Sequence, residues 1–326
     1  MLYKLSIIIS VFLISGCSKD TFNYNKLEAY DDLHESIARY SASIESRNIN
    51  WDSLGSVYRP IISENMTESE YFEEVSELLK EFRDPHVWLL TPLDSLYTID
   101  HLGYTKNYNA ALTDTYLNNI EKHNTQIISA YINDSIGYIF CADFKGDEHT
   151  NNEIYTTIIN KLSNTKGLII DLRINDGGSV YNAQNLLNKF ADSKTLWHTT
   201  QNKTLEGFDE KYEWYIEPDK VATYPNKVVI LNGRFTVSAG ERFAIGAKLL
   251  DNLIILGDTT ANTQGSVMGR EMLNGWKYTL TFEKCLAPNG VNYGGLGIPP
   301  DEFVSYGSSI LDNRDYLLER AIEILN

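Results

Sequence analysis

The chain has 326 residues, which is room for one large domain or two modest ones. Hydrophobic residues make up 43% and charged residues 22%, an ordinary globular balance that excludes disordered, collagen-like and low-complexity chains. The formal net charge of -16 repels nucleic-acid phosphates and anionic lipid headgroups, so we do not expect a nucleic-acid-binding protein.

The N-terminal segment departs from this pattern. Lys4 precedes an apolar run from Leu5 to Ile14, and a Ser-Gly-Cys triplet ending at Cys17 follows it. A run of about ten residues is typical of a signal peptide, whereas a bilayer-spanning helix needs about 20. The small residues before Cys17 resemble the lipobox of bacterial lipoproteins. This resemblance implies cleavage after residue 16, lipidation of Cys17 and a lipid-anchored place in the bacterial cell envelope; the alternative is a secretory peptide with an incidental cysteine.

Two further cysteines, Cys141 and Cys285, carry no motif. In an oxidising compartment they are compatible with one disulfide, and equally with two buried free thiols. Their surroundings show neither CxxC nor a Cys/His pairing, and the chain contains no HExxH, EF-hand loop, P-loop or GxGxxG. We therefore expect no metal and no cofactor.

Two regions of different periodicity follow the leader. Helical spacing of apolar residues predicts a small N-terminal helical domain over residues 17–92, with residues 93–125 as a connecting segment. From residue 126 to 326 short strands alternate with helices, which predicts an α/β domain. The predicted strands are 126–132, 136–142, 167–172, 227–231, 253–256 and 277–282, and the predicted helices are 151–162, 180–191, 238–250 and 313–325.

A glycine pair follows the predicted strand at 167–172. Gly177 and Gly178 free backbone N–H groups to face an anion, and the next helix adds positive potential at its start. The pattern predicts an oxyanion donor, with a simple chain-reversing turn as the alternative. Asp171 and Arg173 are interpreted as braces for this turn.

Ser238 stands at the start of a helix, directly after another buried strand. Its hydroxyl lies at the positive end of that helix, with the N–H of Ala239 beside it, which are conditions suited to a nucleophile. The same residue also forms a capping box with Glu241, so a purely structural cap is the alternative. The GxSxG elbow of α/β-hydrolases is absent, because Thr236 occupies the first glycine position.

A serine nucleophile needs a base. Among the six histidines, His86 is the best candidate, because Pro85 fixes its turn and Asp84 is near enough in sequence to orient its ring.

Four motifs occur in order along the chain. They are Asp-Leu-Arg-x-Asn-x-Gly-Gly at 171–178, Ser-Ala-Gly-Glu at 238–241, Gly-Asp-Thr-Thr at 257–260 and Gly-Ile-Pro-Pro-Asp at 297–301. Together with Asp-Pro-His at 84–86, they resemble the tail-specific or C-terminal-processing serine peptidases. The resemblance is greatest to the branch with tricorn-core and retinoid-binding-protein-like relatives, and it extends over most of the chain.

The resemblance implies a crotonase-like peptidase core. The processing peptidases usually carry a PDZ domain as well, but the roughly 35 to 40 residues between the His86 motif and the first core strand are too few for one. In such a core Ser238 is the nucleophile, His86 is the general base, and the N–H groups of Gly177, Gly178 and Ala239 supply the oxyanion hole. The implied activity is hydrolysis of peptide bonds in exported proteins or peptides, so the expected partner is a peptide or an unfolded protein.

Three positions separate this chain from the two branches of the family. The processing branch has its base lysine twenty-five residues after the serine, where this chain has Thr263, so a histidine base is expected. Tricorn-like members have a supporting serine and a supporting glutamate where this chain has Pro85 and Gly294. These two departures motivate a second hypothesis, a catalytically impaired relative that binds peptides or apolar ligands.

Overall fold

The computed structural model describes residues 24–305 and 313–326. The predicted signal peptide and Cys17 lie outside the described residues. Within them, no helix combines the length and apolar character that crossing a bilayer requires.

The N-terminal part consists of helices that pack on a small sheet. The helices are α1 (Lys26–Tyr40), α2 (Ser43–Ser46), α3 (Trp51–Tyr58) and α4 (Glu68–Lys80). Thr67 and Glu70 form a capping box at the start of α4. Strands β1 (Trp88–Leu90) and β2 (Ser95–Tyr97) follow, and a 3-10 helix spans Thr98–His101.

A seven-stranded central sheet forms the middle of the remaining part of the chain. Its strands are β3 (Asn118–Lys122), β4 (Ile127–Ile132), β5 (Ile136–Cys141), β6 (Gly167–Asp171), β10 (Lys227–Asn232), β11 (Leu253–Gly257) and β15 (Glu302–Phe303), in the order β15-β11-β10-β6-β5-β4-β3. Neighbours from β5 to β15 run parallel, whereas β3, β4 and β5 pair antiparallel. The helices of this part are α5 (Ala110–Asp114), α6 (Glu148–Leu162), α7 (Val180–Leu187), α8 (Ala239–Ala247) and α9 (Tyr316–Leu325).

Both faces of the central sheet are covered. Leu168 and Ile170 of β6 join a buried cluster with α6, α7 and α8, and Ile169 between them joins a second cluster with α9 on the opposite face. Burial on both faces explains why these strands are continuous apolar runs in the sequence.

Two smaller sheets flank the centre. One has the order β12-β13-β1-β2, where β12 is Val267–Glu271 and β13 is Lys277–Thr281. The other joins β7 (Thr195–Thr204) to β8 (Gly207–Phe208), β9 (Tyr212–Ile216) and β14 (Glu283–Leu286). Trp276 and Tyr278 belong to the same buried cluster as the N-terminal helices, so the hairpin at 267–281 packs on the N-terminal part.

All six predicted strands and all four predicted helices are confirmed, with boundary differences of a few residues. The structure adds strands that were not predicted, both in the flanking sheets and at the two edges of the central sheet, where β3 lies within the predicted connecting segment 93–125. The longest, β7, is rich in threonine and other polar residues, and Trp197, His198 and Thr200 are its buried positions.

Candidate active site

The candidate site residues lie where parallel strands end. The segments after β6, β10 and β11 contain the glycine pair, Ser238 and Thr263, respectively, and these strands are adjacent and parallel. Their C-terminal ends therefore share one edge of the sheet, which is where open α/β sheets bind their ligands.

Ser238 is partly exposed at the start of α8, in a strained backbone conformation. Its φ of 56° and ψ of -115° fall in a region that side chains rarely adopt and that costs about 1–3 kcal/mol. Two bonds hold it there: the N–H of Ser238 donates to the Thr263 carbonyl at 3.0 Å, and the N–H of Val237 donates to the Asn175 carbonyl at 2.8 Å. Such strain at a sharp strand-to-helix turn presents the side chain outward.

The glycine pair packs against Ser238 with no room for a side chain. A Cβ on Gly177, which has a φ of +72°, would lie 2.6 Å from the Ser238 Cβ. A Cβ on Gly178, with a φ of +132°, would lie 2.4 Å from the Phe144 carbonyl carbon. The turn therefore requires glycine at both positions for conformation and for space.

The two glycines differ in how their N–H groups are used. The N–H of Gly177 donates to Asn175 Oδ1 at 3.0 Å. Around Gly178, the Phe144 N–H donates to the Gly177 carbonyl at 2.6 Å and the Ser179 N–H donates to the Phe144 carbonyl at 3.0 Å. The N–H of Gly178 takes no part in this bridge. The N–H of Ala239 lies in the first turn of α8, where backbone N–H groups have no acceptor within the helix.

Glu241 is buried beneath Ser238 and binds the loop after β11. Its carboxylate accepts hydrogen bonds from Thr260 Oγ1 at 2.6 Å, the Thr263 N–H at 2.6 Å, the Asn262 N–H at 2.9 Å and the Ser238 N–H at 3.4 Å. Burial raises the pKa of Glu241 to about 8, against the lowering effect of these four donors. The capping interpretation of Glu241 is confirmed, and the carboxylate also joins the serine to Thr263.

The fourth motif holds the same loop from its other side. The Ile298 N–H donates to Thr260 Oγ1 at 2.8 Å, and the Thr260 N–H donates to the Ile298 carbonyl at 3.1 Å. Thr260 in turn donates to Glu241, so three of the four motifs are hydrogen-bonded in series.

His86 follows a turn that is built on Asp84. The N–H of His86 donates to Asp84 Oδ1 at 3.0 Å, and the ring nitrogen Nδ1 lies 2.8 Å from Thr263 Oγ1. The same hydroxyl donates to Asp84 Oδ1 at 2.7 Å. Thr263 therefore contacts the Ser238 backbone through its carbonyl and the His86 ring through its side chain.

Asp84 is fully buried and surrounded by donors. Ser43 Oγ and Thr281 Oγ1 donate to its Oδ2 at 2.6 and 2.9 Å, and Arg47 lies 3.4 Å from Oδ1. Burial alone would raise the pKa of Asp84, but Arg47, His86 and the hydroxyl donors lower it to about 2.

The pKa of His86 is lowered below its ordinary value. Burial is the main cause, and the charges of Arg47 and Arg242 act in the same direction, whereas Asp84 and Asp176 oppose the shift. The ring is therefore neutral at neutral pH, as a general base must be.

Asp171 and Arg173 of the first motif belong to a buried network. Arg173 donates to Asp171 at 2.6 Å and to Asp315 at 2.8 Å, and Tyr138 donates to Asp171 at 2.8 Å. Asp315 caps α9 by accepting from the Leu318 N–H, so the network joins β6 to the C-terminal helix. It occupies the strand end below the glycine turn.

Cys141 and Cys285 are both buried free thiols. In the described parts of the chain, no three side chains among His, Cys, Asp and Glu converge in a geometry that could hold a metal ion.

The contacts of Thr263 and Arg47 with other site residues were not predicted from the sequence. Arg47 donates to both the Asn262 carbonyl and Asn262 Oδ1 at 2.8 Å, so it joins the N-terminal part to the loop after β11. Gly294, where tricorn-like members have a glutamate, lines the same small cavity as Asp84 and Thr263. Neither Thr263 nor Arg47 could be recognised from a local sequence motif, because each makes its contacts with distant parts of the chain.

The chain is similar in sequence to one family of peptidases and to one characterised protease. The family model described as Peptidase family S41 matches residues 135–304. The tricorn protease of Thermoplasma acidophilum is 26% identical over 197 residues, which are 59% of this chain and 17% of that protein. This chain thus spans about a sixth of the length of that relative.

Two solved structures share the fold. A protein from Parabacteroides merdae ATCC 43184, assigned as a peptidase, has a TM-score of 0.84 at 24% identity over 93% of this chain and 97% of its own. The photosystem II D1 C-terminal processing protease has a TM-score of 0.55 at 14% identity over 91% of this chain and 97% of its own.

Proposed function

The chain belongs to peptidase family S41, which confirms the resemblance inferred from the motifs and indicates a serine peptidase. From this premise we propose that the protein hydrolyses peptide bonds with Ser238 as nucleophile and His86 as general base, on a crotonase-like core. The observation that carries the proposal is Thr263, whose carbonyl accepts from the Ser238 N–H at 3.0 Å while its hydroxyl lies 2.8 Å from the His86 ring.

In the proposed first step, Ser238 Oγ attacks the scissile carbonyl and transfers its proton to His86 Nε2. The C–N bond then breaks as His86 returns that proton to the leaving amine, and an acyl-enzyme remains on Ser238. Water then transfers a proton to His86 and attacks the acyl carbonyl, and the ester bond breaks as His86 returns that proton to Ser238 Oγ. The lowered pKa of His86 supports this role, since it keeps the ring neutral for the first transfer.

The oxyanion hole is proposed to form between the glycine turn and the start of α8. Ala239 provides one N–H, which the helix does not use. Of the glycines, Gly178 is the better donor, because the N–H of Gly177 is already donated to Asn175. Binding of an oxyanion by Gly177 would require that bond to be shared.

We propose exported peptides or unfolded proteins as substrates and a lipid anchor at Cys17 as the point of attachment to the cell envelope. The proposed domain division is a signal peptide at 1–16, a helical domain at 17–92, a connecting segment at 93–125 and a catalytic domain at 126–326. The packing of the hairpin 267–281 on the N-terminal helices supports adding this hairpin to the first domain.

The test is hydrolysis of casein and of a fluorogenic peptide library by purified protein, with two serine variants compared. Ser238→Ala should abolish cleavage. Ser179→Ala is the matched control, because Ser179 also caps a helix that follows a parallel strand, and this variant should retain cleavage. Cleavage by Ser238→Ala at the wild-type rate would refute the proposal.

A further inference from the structure

The direction of the hydrogen bonds around Thr263 can be read from its two partners. A threonine hydroxyl has one proton to donate and lone pairs to accept with. Asp84 is ionised at neutral pH and can only accept, so the hydroxyl proton points at Asp84 Oδ1. The contact of 2.8 Å with His86 Nδ1 must then be a bond that Thr263 accepts, and Nδ1 must carry the hydrogen.

This direction fixes the tautomer of the neutral ring. With hydrogen on Nδ1, the free lone pair of His86 is on Nε2, which is the atom that must accept the proton of a serine hydroxyl. The opposite tautomer would place a second lone pair against Thr263 Oγ1, whose only proton is already used by Asp84.

Asp84 is prevented from orienting the ring directly. Its Oδ1 accepts the backbone N–H of His86, and its Oδ2 accepts from Ser43 and Thr281. These bonds hold the carboxylate beneath the turn of residues 84–86. A hydroxyl from another part of the chain is needed to connect it to Nδ1.

Thr263 is held rigidly enough to connect the Asp84 carboxylate to the His86 ring. Its N–H donates to Glu241 Oε2 at 2.6 Å, its carbonyl accepts from Ser238, and its β-branched side chain has few rotamers. The residue is buried, so water does not compete for its hydroxyl.

We propose that Thr263 is the positioning residue for His86, relaying the Asp84 carboxylate to Nδ1 in a chain Asp84–Thr263–His86. This proposal deepens the proposed function and rests on it for its catalytic meaning. Asp84 and Thr263 keep their protonation states throughout, because every proton transfer takes place at His86 Nε2. In acylation the proton moves from Ser238 Oγ to the leaving amine, and in deacylation it moves from water to Ser238 Oγ. The two groups supply the orientation that Pro85 and Gly294 cannot.

The charged groups facing His86 define what a pH profile reports. Asp84 and Asp176 stabilise the imidazolium, whereas Arg47 and Arg242 destabilise it. Replacing Thr263 removes none of these charges. Loss of the Thr263 hydroxyl should lower kcat strongly, because the ring is no longer oriented. Since the charges remain, the acid limb of the pH profile should move only slightly, towards lower pH.

The kinetic test compares Thr263→Val, which removes the hydroxyl at nearly constant volume, with Thr263→Ser, which keeps it. Thr263→Val should lower kcat about 10- to 100-fold with KM unchanged, and Thr263→Ser should stay within about three-fold of wild type. Thr165→Val is the control, because Thr165 is a buried hydroxyl remote from the site that donates to the Leu162 carbonyl. An unchanged kcat for Thr263→Val would overturn the proposal while leaving the serine mechanism intact.

A second measurement does not depend on activity. In ¹⁵N NMR of histidine-labelled protein, with His86 assigned by its absence in His86→Gln, the wild-type neutral ring should show hydrogen on Nδ1. Thr263→Val should show a mixture of tautomers, and Thr263→Ser should restore the wild-type signal. If wild type has no serine-dependent hydrolysis but shows this pattern, the proposed function fails and the positioning role stands. Hydrogen on Nε2 in wild type would overturn the positioning role itself.

Discussion

The N–H of Ser238 and the carbonyl of Thr263 are hydrogen-bonded at 3.0 Å, although the two residues follow different strands. Because the strands are adjacent and parallel, the loops that follow them meet at one edge of the sheet. Glu241 reinforces the junction from below by accepting the N–H groups of both residues. The spacing between the proposed nucleophile and the residue that contacts His86 is thus set by backbone bonds.

The pH dependence of kcat/KM should reflect a histidine with a lowered pKa. Activity needs the neutral ring, so a pKa below 6.5 keeps the enzyme active to lower pH than an ordinary histidine would allow. The acid limb should have its midpoint below pH 6.5. Asp176→Asn removes a charge that stabilises the imidazolium and should move the midpoint lower still. A shift towards higher pH in this variant would contradict the assignment of the limb to His86.

Gly177→Ala should destabilise the protein and abolish cleavage. The added Cβ would lie 2.6 Å from the Ser238 Cβ, at a φ that alanine rarely adopts. We expect a loss of more than about 1 kcal/mol of unfolding free energy in urea titrations. Gly269→Ala is the control, because nothing lies within 4 Å of its added Cβ, and it should leave stability and activity nearly unchanged. Full activity of Gly177→Ala would show that the turn does not constrain Ser238.

Glu241 should make stability depend on pH in the direction opposite to an exposed capping carboxylate. Its pKa is raised to about 8 in the folded protein, so its stabilising contribution is complete below the unfolded value near 4.3 and is lost as pH rises through about 8. Glu241→Ala should therefore be destabilised by about 3 kcal/mol near pH 5, with a smaller difference from wild type near pH 8.

The matched control is Glu70, the capping-box carboxylate of α4. Its pKa is lowered, so its contribution is present above the unfolded value and is lost as pH falls. In urea unfolding at a series of pH values, the two alanine variants should differ from wild type with opposite pH trends. A Glu241→Ala deficit that grows towards pH 8 would show that this carboxylate is stably ionised.

Arg173→Ala should be among the most destabilising single substitutions. It leaves the buried carboxylates of Asp171 and Asp315 without their cation, a change that typically costs about 3–5 kcal/mol. Arg59→Ala, which breaks an exposed ion pair with Asp31, should cost far less. Thermal unfolding of both variants provides the comparison, and equal losses would contradict a bracing role for Arg173.

Local patterns in the sequence were sufficient for five of the seven strands of the central sheet. The edge strands β3 and β15 were not predicted, because β3 is exposed along its length and β15 has only two residues. The parallel strands between these edges are buried on both faces and so are apolar runs, as in residues 167–171. Strand β7 could not be predicted in this way, because its threonines and histidine do not form an apolar run or a clean alternation. Pairing with β9 and β14 makes it a strand.

The residues of the candidate site also differ in whether a local sequence pattern identifies them. Ser238 and His86 follow signals within a few residues, a helix start in one case and a proline turn in the other. Thr263 has no such signal, because its partners Asp84 and His86 lie 179 and 177 positions earlier in the chain. A single sequence therefore supplies candidates for the reacting residues, whereas candidates for the groups that orient them require the fold.

Whether Ser238 is an activated nucleophile can be measured from the intact mass of the purified protein after exposure to a fluorophosphonate probe, followed by peptide mapping. Activated serines react with this probe, whereas a serine that only caps a helix does not. We expect a single adduct on Ser238, absent from Ser238→Ala and formed far more slowly by His86→Gln. Absence of an adduct at any pH, with the protein folded, would contradict a catalytic role for Ser238 and leave it as the cap of α8.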